Sequence, residues 1–142
     1  MRSPRHSDVR DVPLDTDEAL LERVGALLER AFRRELWLLF LDERGCQLPV
    51  LTPIDVPRRP GRRDAPRLAE FLGELVEAVE AAELAVVYER RGRDLFSADD
   101  RAWLALVTEA CALAGVALRG PILLHDGGVR WVAREDLDVT ML

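Results

Sequence analysis

The chain has 142 residues, enough for one domain with a single substantial core. Hydrophobic residues make up 49% of it and charged residues 32%, which is typical of a soluble globular protein rather than a disordered or membrane protein. The net charge of -6 repels nucleic acids and anionic membranes. No apolar run approaches the ~20 residues of a membrane span. We therefore expect no membrane association, and nucleic acid is a disfavoured partner.

Residue usage adds expectations about origin and location. All 20 basic residues are arginine, and lysine and asparagine are absent, which indicates the codon bias of a high-GC bacterial genome. The first residues, MRSPRHSDVRDVP, contain no signal-peptide core, so a cytoplasmic location is the default expectation. Cys46 and Cys111 lie far apart and form no CxxC pair, which predicts two reduced cysteines and no disulfide framework.

The N-terminal third predicts a tail, a helix and a β-hairpin. Residues 1–14 show no apolar periodicity, so we expect a disordered tail followed by a single globular domain over 15–142. Thr16 is suited to cap a helix. The predicted buried face of this helix consists of Leu20, Leu21, Val24, Leu27, Leu28, Ala31 and Phe32. The apolar run 35–41, the turn residues 42–45 and the run 46–51 then predict a hairpin.

The middle of the chain predicts a loop, a helix and a strand. Three prolines and a glycine between residues 52 and 64 exclude a helix and a central strand, which leaves a loop. Asp64 would cap a second helix. The predicted buried face of that helix consists of Leu68, Phe71, Leu72, Leu75, Val76 and Val79. Residues 84–88 are β-branched or aromatic for the most part and predict a strand buried on both faces.

The C-terminal third predicts a helix and a second hairpin. Ser97 and Asp100 have the spacing of an N-cap and its first-turn acid, so a helix should begin at Ala98, and Gly115 should end it. Residues 116–118 and 121–125 predict short strands, with a turn at 126–128 leading into a strand at 129–132. The order α-ββ-α-β-α-ββ predicts an α+β fold, a mixed five-strand sheet flanked by about three helices.

Three residues after the strand 84–88 have the spacing of a known motif. Gly92, Ser97 and Asp100 are placed as in the JAB/MPN metalloprotease-like fold, and the chain resembles the RadC-like bacterial domains of that group. In that family the strand ends in His-x-His-Pro, and two histidines and an aspartate hold zinc. The alignment places Val87 and Glu89 at the two histidine positions of this family.

The resemblance therefore implies a scaffold whose zinc ligands are missing. Valine donates no lone pair, and three nearby arginines oppose a cation at Glu89 and Asp100. No upstream glutamate can be assigned as the base of the family's reaction. We expect no metal, no cofactor and no zinc-dependent peptidase activity, and an enzyme is the less favoured class. The first hypothesis is a non-catalytic binding or scaffold domain, a metal-free relative acting through protein contacts.

A second hypothesis comes from the arginines. Two loops carry them, and the candidate anion-binding residues are Arg58, Arg59, Arg62, Arg63, Arg90, Arg91 and Arg93, with Arg67 at the start of the next helix. If the loops meet at one edge of the sheet, the guanidiniums would form an anion site beside a helix N-terminus. The protein would then be an enzyme or sensor for an anionic small molecule, with Glu89 or Tyr88 assisting. A solvated arginine loop and a nucleic-acid contact remain alternatives.

The sequence positions of the remaining polar and aromatic residues indicate structural roles. Asp94, Asp99, Asp100 and Glu89 are read as capping and solvation rather than as an acidic metal cluster. His6 and His125 have no nearby partner, and the three tryptophans, Trp37, Trp103 and Trp131, lie in apolar runs and are assigned to the core. Three helices cannot obviously cover both faces of a five-strand sheet. An apolar patch and a two-fold homodimer are therefore predicted.

Overall fold

A computed structural model describes residues 12–61 and 63–137 of the chain. Its strands are β1 (Glu35–Leu41), β2 (Gln47–Asp55), β3 (Glu83–Glu89), β4 (Leu118–His125) and β5 (Gly128–Trp131). Its helices are α1 (Asp17–Leu28), α2 (Asp64–Ala78), α3 (Ala98–Ala114) and a single turn, α4 (Arg134–Leu137). The predicted element order and the α+β class are confirmed, and α4 is the one addition within the described residues.

The five strands form one mixed sheet in the order β2-β1-β3-β4-β5. The central strand β3 pairs antiparallel with β1 and parallel with β4, while β2 and β5 are the antiparallel edge strands. Two parallel neighbours such as β3 and β4 must be joined by a crossover connection, and α3 is that connection. The end of β3 is therefore where the loops before β1 and before α3 come together.

Each face of the sheet has its own apolar cluster. Side chains alternate along β3, so that Val86 and Tyr88 pack with α2 and α3, while Ala85 and Val87 pack with α1 on the other face. Trp103 is buried as predicted, whereas Trp37 and Trp131 are only partly buried at the margin of the α1 face. Two helices thus cover one face and one helix covers the other.

The first helix is shorter than predicted. Thr16 accepts a hydrogen bond from the backbone N–H of Ala19 at 3.1 Å, which is the expected cap. The helix ends at Leu28 because Glu29 adopts a positive φ of 59°. Ala31 is still buried, but Phe32 is 65% exposed, so its predicted place on the buried helix face was wrong.

The strand β2 is longer than predicted. It continues through Pro53 to Asp55, so the prediction of a loop from residue 52 was wrong over residues 52–55. Pro53 lies opposite Trp37 on the single neighbour β1. An edge strand tolerates proline because only one of its sides must form hydrogen bonds with a neighbour. The two short strands predicted at 116–118 and 121–125 are in fact one strand, β4.

The helix ends of the second half follow local chemistry. Ser97 and Asp100 form the capping box of α3, and Gly115 ends the helix with a φ of 68°, both as predicted. Asp64 is the first residue of α2 rather than its cap, and its carboxylate accepts from the Gly61 N–H at 2.5 Å. Phe71, predicted to be buried, is 40% exposed.

Two observations concern the ends of the domain and the membrane. Leu14 is buried, and its N–H donates to the Gly45 carbonyl at 2.8 Å, so ordered structure includes this last residue of the predicted tail. Residues 1–11 and 138–142 lie outside the described part of the chain. None of the helices formed by residues 12–61 and 63–137 is long and apolar enough to cross a membrane.

Candidate functional site

A buried ion pair occupies the place where β3 leaves the sheet. Arg90 and Asp100 are both buried, and the guanidinium donates through Nε and Nη2 to the carboxylate at 3.0 to 3.2 Å. Arg90 also donates to the carbonyls of Arg93 and Leu95, so it ties down the loop before α3. The ion pair with these loop bonds is a closed structural network.

Asp100 completes this network from the helix side. Its Oδ2 accepts from the Ser97 N–H at 3.0 Å, while the Asp100 N–H donates to Ser97 Oγ at 3.1 Å. Burial by itself would raise the pKa of Asp100, but the hydrogen bonds from Arg90 and Ser97 outweigh it, and the pKa lies below its ordinary value. The carboxylate is ionised and engaged by Arg90, and in this arrangement it is a cap and an ion-pair partner.

Glu89 is engaged in a different way. It is 3% exposed, and its Oε2 accepts from the backbone N–H groups of Phe32 and Arg33 at 2.5 and 3.0 Å. Its Oε1 accepts from Trp37 Nε1 at 2.8 Å. Both oxygens therefore hold the loop between α1 and β1 against the end of β3.

The motif positions do not converge. Val87 packs among the apolar residues under α1, and Glu89, two residues on, points to that same face. Asp100 lies at the start of α3, on the opposite face of the sheet. Gly92, with a φ of 116°, lies in the intervening loop. Among the residues that the structure describes, no group of three or more His, Cys, Asp or Glu side chains could hold a metal ion.

Glu35 is a buried carboxyl that the sequence reasoning missed. It lies directly opposite Glu89 in the β1–β3 register and is itself buried. Burial and then the charge of Glu89 raise the pKa of Glu35. In the sequence, the one indication of its burial is that this acidic residue is the first of the apolar run of β1. The register that gives it a partner is set by the sheet.

The two arginine loops meet in part, which is the condition on which the anion-site hypothesis depends. Arg58 from the loop before α2 and three arginines from the loop before α3 surround one cleft of about 260 Å³. We call it the arginine cleft, and its full lining is Arg34, Arg58, Arg90, Arg91, Arg93, Leu95, Ser97, Asp99 and Asp100. Arg34, just before β1, was not predicted. Arg59 and Arg63 do not line the cleft, and Arg62 lies outside the described residues.

The charge in the cleft is only partly balanced. Asp99 pairs with both Arg58 and Arg59, at 3.2 and 2.9 Å, while Arg91 pairs with Asp126 at 3.0 Å. In contrast, Arg93 forms no ion pair with any residue of the described ranges. Five arginines and two aspartates line the cleft, and even with Asp126 beside Arg91 the positive charges outnumber the negative ones.

Arg34 is held by a neutral partner. Its Nη1 donates to the hydroxyl of Tyr88, and the guanidinium also lies 5.8 Å from the centre of that ring. Burial, only partly offset by Arg34, raises the pKa of Tyr88 to about 12, so the hydroxyl stays protonated. Arg34 is positioned without losing its charge. Neither Tyr88 nor Glu89 is placed to assist in chemistry as hypothesised, since Tyr88 is fully buried with its hydroxyl bound to Arg34, and Glu89 is bound on the other face of the sheet.

The remaining predicted residues have local roles. His125 Nδ1 accepts from the Gly127 N–H at 3.1 Å, and burial lowers the pKa of this histidine. The Asp94 carbonyl accepts from Arg130 at 2.6 Å. His6 lies outside the described residues.

Comparison with known proteins does not identify the chain. No family model matches it. No curated protein matches it either. The geometry at the end of β3 is therefore the basis for assigning a function.

Proposed function

We propose that this protein is a non-catalytic binding or sensor domain that recognises an anionic group in the arginine cleft. The observation that carries the proposal is the convergence of arginines from three separate segments, Arg34, Arg58 and the 90–93 loop, on one opening. A guanidinium presents several N–H donors in a planar fork that matches carboxylate and phosphate oxygens. Apart from the buried Arg90, four guanidiniums line the cleft, and four such forks favour a ligand with several anionic oxygens.

Neighbouring residues hold the arginines of the cleft in place before a ligand binds. Tyr88 positions Arg34, and the Arg90–Asp100 pair fixes the loop that carries Arg91 and Arg93. A loop held in place before binding loses less conformational entropy when a ligand arrives. Arg91 and Arg93 can therefore act from a rigid base, although their own side chains reach into solvent.

The same contacts argue against a hydrolytic centre. The two carboxylates at motif positions, Glu89 and Asp100, are saturated by hydrogen bonds and lie on opposite faces of the sheet. On this basis we propose that the chain is a metal-free relative of the JAB/MPN group, close to its RadC-like branch. The support is the spacing of Gly92, Ser97 and Asp100 together with the order of the elements.

We also propose a cytoplasmic bacterial protein that forms a homodimer. The support for the location is the composition, and the support for the dimer is one exposed apolar side chain on each of α2 and α3. Phe71 is 40% exposed and Leu113 is 59% exposed. Light scattering at tens of micromolar should give twice the chain mass of 16.0 kDa, and a clean monomer would contradict the dimer.

Anion binding is tested by thermal shift and calorimetry at low salt with phosphate, pyrophosphate, citrate and sulfate. We expect at least one polyvalent anion to stabilise the protein, because a ligand that binds only the folded state raises its stability. Arg93→Gln should weaken this binding by several-fold without changing the melting temperature of the free protein, since the Arg93 side chain has no hydrogen bond or ion pair within the described residues and its carbonyl bond to Arg90 is kept.

Arg44 provides the matched control. It is an exposed arginine in the β1–β2 turn, at the opposite end of β1 from the arginine cleft. Arg44→Gln removes the same charge from the protein as a whole, so any general electrostatic effect is the same in both variants. Equal weakening by the two variants, or no binding by any of the four anions, would reject the proposal.

A further inference from the structure

A second cavity adjoins the arginine cleft. It measures about 440 Å³ and is lined by Arg30, Ala31, Phe32, Arg91 and Asp126. We call it the aromatic pocket. Arg91 lines both cavities, so they lie side by side and share this residue. Together they have the size of a small-molecule site, for which several hundred Å³ is usual.

The aromatic pocket presents a ring on a fixed backbone. Phe32 is 65% exposed, which is unusual for phenylalanine, yet its backbone N–H and that of Arg33 are bound by the buried Glu89. The guanidinium carbon of Arg30 lies 5.3 Å from the centre of the Phe32 ring. The backbone that carries the ring is therefore fixed, and the exposed ring is part of the pocket lining.

The pocket lining also includes a hydrogen-bond acceptor, the carboxylate of Asp126. Asp126 lies in the turn between β4 and β5, and its N–H donates to the Gly92 carbonyl at 2.9 Å. Its carboxylate pairs with Arg91 Nε, and the side chain is 47% exposed. A ligand in this pocket would meet both an aromatic ring and a carboxylate acceptor.

We infer that the ligand is a nucleoside phosphate, with its phosphate in the arginine cleft and its base against Phe32 in the aromatic pocket. This inference rests on the proposed anion-binding function and extends it. Aromatic rings stack on any base, and base amino groups or ribose hydroxyls can donate to Asp126. An acidic peptide fits less well, because Asp126 would repel its carboxylates. A long nucleic acid is disfavoured by the net charge of -6.

The test compares nucleoside monophosphates with ribose 5-phosphate by calorimetry. Both carry the phosphate, but only the nucleotides carry a base, so the ratio of their affinities measures the aromatic pocket alone. Stacking of one base on an aromatic side chain corresponds to roughly 5- to 150-fold in affinity. We expect at least one nucleotide to bind about fivefold or more tightly than ribose 5-phosphate.

Phe32→Ala should bring the ratio of nucleotide affinity to ribose 5-phosphate affinity down to about one, while the affinity for ribose 5-phosphate stays unchanged. Phe71→Ala is the matched control, since it removes another exposed phenylalanine, on α2 and away from both cavities. Phe32→Leu keeps apolar bulk without the ring and should lose most of the ratio. This second variant keeps the test decisive if Phe32→Ala folds poorly.

The outcomes separate the two proposals. Equal binding of nucleotides and ribose 5-phosphate would overturn the nucleotide inference and leave the anion site standing. Failure of every phosphate and nucleotide to bind would overturn both. Tighter binding of an oligonucleotide or of an acidic peptide than of any mononucleotide would also overturn the inference, because it would assign the site to a macromolecule.

Discussion

Arg90 and Arg91 are neighbours in sequence with opposite environments. The side chain of Arg90 is 8% exposed and donates to Asp100 and two loop carbonyls, whereas the side chain of Arg91 is 71% exposed and pairs with Asp126. The first arginine stabilises the fold, and the second faces two cavities. The difference shows that a run of arginines is not one site: the buried member shapes the loop, and the exposed members are available to a ligand.

The largest expected effect concerns the buried ion pair between Arg90 and Asp100. Asp100→Ala should lower the free energy of unfolding by about 3 to 5 kcal/mol, because it leaves the guanidinium of Arg90 buried without its counter-ion. From the sequence alone, first-turn charge predicts only about 0.5 to 1 kcal/mol. Urea denaturation distinguishes the two figures.

Asp99→Ala is the control for this prediction. Asp99 is also in the first turn of α3, but its partners Arg58 and Arg59 are both largely exposed. Exposed ion pairs contribute about 1 kcal/mol or less. A loss from Asp100→Ala as small as that from Asp99→Ala would show that Arg90 and Asp100 do not form a stabilising buried pair.

A smaller loss is expected from Glu89→Ala, about 2 to 3 kcal/mol, since it removes the acceptor of three N–H donors. The change should also release Phe32, so nucleotides should lose affinity relative to ribose 5-phosphate while anion binding persists. Denaturation and calorimetry on the same sample check both results. If anion binding vanished instead, Glu89 would be supporting the arginine cleft and not the aromatic pocket.

Glu35 should make stability depend on pH in a predictable direction. Burial and Glu89 raise the pKa of Glu35 in the folded protein, so between its ordinary value of 4.5 and that raised value the native state holds more protons than the unfolded state. Stability due to this group is therefore lost as the pH rises through that window. Glu35→Gln should be more stable than the parent at neutral pH and equal to it below the window. Urea midpoints from pH 4 to pH 7 test this, and a constant difference across the range would refute it.

The smallest expected effect concerns metal. A chelator should leave the melting temperature unchanged, since the carboxylates of Glu89 and Asp100 are engaged by protein donors and face away from each other. Elemental analysis of protein purified without an affinity-tag metal is the direct measurement. About one zinc per chain, lost on Asp100→Ala, would reverse the assignment of this residue to the ion pair.

The sequence by itself determined the features whose causes are local. The capping box of Ser97 and Asp100, the end of α3 at Gly115 and the turn before β5 depend on residues a few positions apart, and the structure has them where they were predicted. The apolar runs of β1 and β3 were likewise predicted to within a residue or two at each end. Together they were sufficient for the α+β class and the element order.

Only the tertiary structure decided which polar side chains are buried and which partners they meet. Pro53 lies in a strand because β2 is at the edge, Glu35 meets Glu89 because of the β1–β3 register, and Arg34 joins the cleft because Tyr88 holds it. Each of these pairings joins residues at least 16 positions apart, so no local pattern encodes it. Arg90 and Arg91 are chemically identical in the sequence. Strand alternation and the position of Asp100 across the loop place one inside the protein and the other at its surface.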